Sequence, residues 1–212
     1  DMGGYNDYGY NDDDDEDEID EDYLELTRKT YFSSETTPEN IYVVYHKYND
    51  YTYFKNKKAF WNSFDTVYSS SFNLTRRKFS EKDDIQSLEF LLTDTNSTRG
   101  IYKKFILKDN AIFQLSTCID TTKAPSLFVS NFYNTFTPSD SVDGRSVFAS
   151  PAENFFAALD GTDTMKRKQA IAAVDIVNLD NSDAPRMISY MESSKFKKMK
   201  MDDRVEFINA LS

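Results

Sequence analysis

Histidine and cysteine are almost missing from this chain, with one of each in 212 residues, at His46 and Cys118. A single histidine removes His-paired catalytic triads, multi-His zinc sites and HExxH arrangements. A single cysteine removes any internal disulfide framework. Glycine is scarce as well, six in all, and neither GxxxxGK nor GxGxxG occurs, so no phosphate-cradling loop is written here. No apolar run approaches the ~18 residues that a membrane-spanning helix needs.

Basic residues are absent from the first 22 positions, which hold 12 acids, most of them in the run YNDDDDEDEIDEDY. The whole chain has 36 acids and 25 bases, so residues 23–212 keep 24 acids and 25 bases. The body is therefore close to neutral, and the overall charge of −11 belongs to the N-terminal run. Ile19 is the one aliphatic residue in that run, too little apolar surface to offset the entropy of ordering it. Residues 1–22 are expected to be an acidic disordered linker. An EF-hand is excluded because the run lacks the mid-loop glycine and the spaced bidentate glutamate. The chain shows neither an initiator-like start nor a signal sequence, and the expectation is a piece of a longer protein.

What is abundant is aromatic: 14 Tyr and 17 Phe. YLELTRKTY (23–31) alternates with period two, IYVVYHKY (41–48) is rich in β-formers, and YTYF (51–54) follows Asn49-Asp50 as the return arm of a hairpin. KNKKAFWNSFDTVYSSSF spaces Phe60, Trp61, Phe64, Val67 and Tyr68 as one face of a helix. Strands are expected at 87–94, 100–109 and 111–120, the last two joined by a tight turn at Asp109-Asn110, and a helix at 124–136. This order predicts an α+β fold, an antiparallel sheet covered by helices, over residues 23–140. TPSDSVDGRS makes 141–150 a surface connection. From 151 to 212 short helices succeed one another, like the start of a HEAT-like repeat. One of these is expected to line up Met165, Ile171, Val174 and Val177, and another to begin at Pro185 with Ser182 or Asp183 as its cap.

Chemistry-bearing residues are few. His46, between Tyr45 and Lys47, is expected to be a half-exposed strand residue, and Cys118, in FQLSTCID, an inert core thiol. The basic stretches TRRKF (75–79) and KFKKMK (195–200) are expected at the ends of elements as solvated caps, not as a nucleic-acid face. The tyrosines Tyr42, Tyr45, Tyr48, Tyr51 and Tyr53 cannot all lie on one face of a hairpin, so some are expected to form an exposed binding surface.

RGIYKKFILKDNAIFQLSTC followed by LFVSNFYNTFTPSD resembles the closing hairpin and final helix of PsbP-like domains. GRSVFASPAENFFAALDGTDTMKRKQAI resembles the region after such a module in long cell-envelope proteins of Bacteroidota, some of which carry a TraB/GumN-type domain. The Gly-x-x-His element of that enzyme class has no counterpart around His46. The resemblance implies an extracytoplasmic, non-catalytic binding or scaffold module. It implies no cofactor, no membrane span in this fragment and no nucleic acid. Its partners would be other domains of the parent chain or envelope proteins. The alternative is a fragment of a hydrolase whose site is completed elsewhere.

Overall fold

Residues 23–139 and 144–209 are described by the computed structural model. The expected acidic linker and residues 140–143 of the expected connection lie outside the described residues. Six strands form one antiparallel sheet in the order β1-β2-β6-β5-β4-β3. They are β1 (Leu24–Ser33), β2 (Asn40–Tyr48), β3 (Asn73–Lys82), β4 (Ile85–Thr93), β5 (Arg99–Lys108) and β6 (Ala111–Asp120). Helix α1 (Lys57–Ser69) crosses one face of the sheet and α2 (Leu127–Thr135) the other. The helices α3 (Ala152–Asp160), α4 (Thr164–Ala172), α5 (Ala184–Glu192), α6 (Ser194–Lys197) and α7 (Met201–Asn209) follow. The chain is thus α+β with a helical segment after the sheet. No helix among the described residues is long and apolar enough to cross a membrane.

Alternation decides what each strand buries. On β2, Ile41 and Val43 point to α2, where they meet Leu115, Ile119, Val129 and Tyr133. Tyr48 points to α1, where Phe60, Trp61, Phe64 and Tyr68 close over Leu88, Phe90, Phe105 and Ile112. Helix α1 starts where Asn56 accepts from the Ala59 amide at 2.9 Å, and its ring spacing presents one aromatic face. Phe64 stacks 4.3 Å from Phe105, and burying each such ring contributes roughly 2 kcal/mol. Helix α2 is joined to the sheet by Tyr133, whose ring stacks on Tyr102 at 4.5 Å and whose hydroxyl donates to the Tyr102 carbonyl at 2.7 Å. The turn between β5 and β6 falls at Asp109-Asn110 as expected, with Asp109 in the left-handed region (φ 53°).

Several expectations are corrected. YTYF does not form a strand. The two neighbours of β2 are already β1 and β6, so no edge remains for it. Asn49 instead turns the chain by accepting from the Tyr51 amide at 2.9 Å, and residues 51–56 lead into α1. TRRKF lies inside β3, an edge strand, and not at the end of an element. Arg77 there bonds Asp65 on α1 at 2.7 Å, and Lys78 pairs with Glu89 at 3.2 Å. His46 is buried, its Nδ1 at 2.9 Å from Thr27 Oγ1. Cys118 is exposed, because α1 does not extend over the outer end of β6. Helix α4 stops at Ala172, so Val174 and Val177 are buried in the turns beyond it while Met165 is exposed. Asp183 precedes α5 but does not cap it with its side chain, which accepts from the Asp180 amide instead.

The described part of the expected surface connection is held tightly. Val147 is fully buried in the α1 core, and its backbone bonds Phe54 and Asp109. Arg145 donates to the carbonyls of Asp50, Thr52, Ser146 and Ala149. Beyond it, Phe155, Phe156, Leu159, Met187, Tyr190 and Phe207 form a separate core for the C-terminal helices, and Tyr51 from the sheet side belongs to it.

Candidate functional site

The structure separates the five tyrosines singled out from sequence. Tyr48 is 2% exposed, beneath α1, and burial pushes its phenol pKa up. Tyr51 is buried against the C-terminal helices, and burial again raises its pKa, with the Asp50 charge adding to the effect. Tyr45 is half-buried on the α2 side, its ring 5.0 Å from Phe113. Tyr53 is half-buried beside α1, in a shallow recess with Tyr23, Phe54 and Asp175. Tyr42 alone is exposed, at 55%.

Tyr42 has a partner that sequence reasoning missed. Tyr31 of β1, 64% exposed, is its register neighbour, and the two rings lie 6.3 Å apart. The available signal was the period-two pattern of YLELTRKTY, which sets Tyr31 on the same face as Thr27 and Lys29. Cross-strand pairing placed it beside Tyr42, and that is not a local property of the sequence.

Register extends this pair into a row across the sheet: Tyr31, Tyr42, Ser116, Lys103 and Phe90. The inner end is roofed by α1, where Lys103 is buried, donates to the Tyr68 hydroxyl and sits 4.2 Å from that ring's centroid. The outer end is open. Lys29, Tyr31, Tyr42 and Cys118 are exposed there, and Val44, Gln114 and Ser116 are half-exposed. Among the described residues no helix covers this part of the face. The surface is a flat floor of strand side chains with two adjacent rings. Each ring offers an apolar body and a hydroxyl tip, which suits contact with another macromolecule.

The second candidate region is a polar cleft of about 640 Å³ between the rim of the sheet and α3–α4. Most of its charged groups are engaged in holding the fold. Lys47 bonds Glu25 at 2.7 Å, and that hydrogen bond holds the ammonium pKa up. Asp163 caps α4 by accepting from the Met165 and Lys166 amides. Arg145 spends its donors on carbonyls, and burial lowers its pKa. No group of three or more His, Cys, Asp or Glu side chains suited to a metal occurs among the described residues.

A third cluster lies on the α2 side. Tyr102 donates to Glu89 at 3.1 Å, and its pKa is pushed up to about 12, by burial first and then by the Glu89 charge. Lys104 donates to the Tyr133 carbonyl at 2.6 Å, and desolvation lowers its pKa. These groups fasten α2 to β4 and β5.

No family model matches this sequence, and no curated protein matches it.

Proposed function

We propose that this chain is a non-catalytic binding or scaffold module that engages a macromolecular partner through the open end of the α1-side sheet face. The observation that carries this reading is the Tyr31–Tyr42 pair, two adjacent rings at 64% and 55% exposure on a floor of strand residues. Large exposed aromatics beside one another have no role in the core, and neighbouring rings supply contact area at small entropic cost. The resemblance to PsbP-like modules of cell-envelope proteins agrees with this reading and makes an extracytoplasmic setting the one we adopt. The hydrolase alternative draws less support, because most charged groups of the polar cleft are committed to an ion pair, a helix cap and backbone carbonyls.

Selection of phage-displayed random peptides on the immobilised chain tests the proposal. Ligands should be recovered whose binding is lost on the Tyr31→Ser/Tyr42→Ser double variant, while the thermal midpoint stays unchanged. Ligands that bind the double variant equally well, or no ligand at all, would reject it.

A further inference from the structure

The sheet has two edges, and they are defended unequally. Edge strand β3 is broken by a bulge between Thr75 and Lys78, with Arg76 in the left-handed region (φ 54°) and basic side chains along it. Bulges and charge of this kind are how natural sheets prevent another strand from docking. Edge strand β1 has its irregularity only at its start, between Leu24 and Leu26. From Leu26 to Ser33 it pairs with β2 without interruption, contains no proline and is exposed at every residue. Alternate residues of an edge strand direct their N–H and C=O groups outward, so this stretch offers a hydrogen-bonding ladder that no strand among the described residues pairs with.

Resting on the reading that this end of the sheet binds a partner, we infer that the partner adds an extended strand to β1 across Leu26–Ser33. The side chains specify its chemistry. Arg28 and Lys29 point to opposite faces and have no ion-pair partner among the described residues. Tyr31 and Phe32, two residues beyond, present exposed rings to opposite faces as well, Phe32 at 44%. A complementary antiparallel strand therefore carries two adjacent apolar residues, a spacer and two adjacent acidic residues, in that order. A second copy of this chain is the wrong occupant. Antiparallel self-pairing over the same stretch gathers both Arg28–Lys29 pairs at the centre of the seam, where like charges repel.

The probe is a capped peptide, Thr-Val-Val-Thr-Glu-Glu-Thr-Val, with one control carrying Lys-Lys in place of Glu-Glu and another carrying proline at the last threonine, which lies opposite Thr27, an outward-facing residue of β1. Titrated into the whole chain, the first peptide should bind in the sub-millimolar range. It should slow amide hydrogen exchange of outward-facing β1 residues at least about tenfold. The proline peptide should bind on the order of tenfold more weakly, because it cannot complete the ladder. The Arg28→Glu/Lys29→Glu variant should reverse the preference, losing about tenfold for the Glu-Glu peptide and gaining for the Lys-Lys peptide. Absence of binding, equal binding of the proline peptide, a charge reversal without effect, or dimerisation of the chain through β1 would each overturn the inference. Ligands that depend on Tyr31 and Tyr42 yet leave β1 exchange unchanged would overturn strand addition alone, and the binding-module reading would stand.

Discussion

The ring of Tyr51 meets that of Phe155 edge-on, with centroids 5.8 Å apart, so a residue just past the end of β2 is built into the core of the C-terminal helices. The sheet and the helical segment are thereby joined from two directions, since Val147 from the linking segment is buried under α1. The helical core takes a residue from the sheet side, and the sheet core takes one from the linking segment.

Truncation of Tyr51 to Ala should therefore cost about 3 kcal/mol, the usual scale for removing a buried aromatic. The loss should fall on the helical segment first. Denaturant unfolding followed by hydrogen exchange should show α3 and α5 losing protection before the sheet does, whereas the parent chain loses both together. Uniform destabilisation of sheet and helices would contradict this.

Arg145 is the second fastener. Replacing it with Ala leaves the carbonyls of exposed Asp50 and buried Thr52 without their charged donor, a loss of about 2 kcal/mol. In limited proteolysis the parent should resist cleavage within residues 144–150, and Arg145→Ala should be cut there. Gly144→Ala should act similarly, because a Cβ at that position would clash with the buried side chain of Asn110. Early cleavage of the parent in this segment would show that the bonds do not hold it.

Much of this architecture was legible in the sequence, and the failures share a cause. Helix α1 was readable because its apolar residues keep a helical period, and strands β4 to β6 because, covered on both faces, they carry runs of apolar β-formers. Strand β3 was not, because as an edge strand it is exposed on both faces and carries charge in place of an alternating apolar pattern. YTYF has strong strand propensity, but β2 had no free edge to offer, and tertiary structure overrode the local preference. The candidate surface was partly legible for the same reason. Alternation identified Tyr42 as one of a set that could not all be buried, but Tyr31 joined it only through the register of β1 on β2.

Alkaline titration tests the buried phenols. Burial raises the pKa of Tyr48, Tyr102 and Tyr133 in the folded chain. The stability they contribute is therefore present below the ordinary value of 10.0 and is lost as pH rises through the folded values, about 12 for Tyr102. Tyrosinate absorbance from these three should appear only together with loss of circular dichroism. Ionisation of all 14 tyrosines with the dichroism intact would refute the packing of α1 and α2 described above.

The two classes of tyrosine should also separate by mutation. Tyr48→Ser should destabilise by about 3 kcal/mol, whereas Tyr42→Ser should change stability by less than about 0.5 kcal/mol. Chemical denaturation of the two variants side by side gives the comparison. Equal losses would mean that Tyr42 is packed and the open face does not exist.

The central claim, that the open sheet face is where a partner sits, is tested most directly by backbone amide chemical shifts on titration with a peptide recovered by selection. The largest shifts should fall on Lys29, Tyr31, Tyr42, Val44 and Ser116. Shifts concentrated instead on Asn154, Thr162 and Lys166, which line the polar cleft, would contradict it.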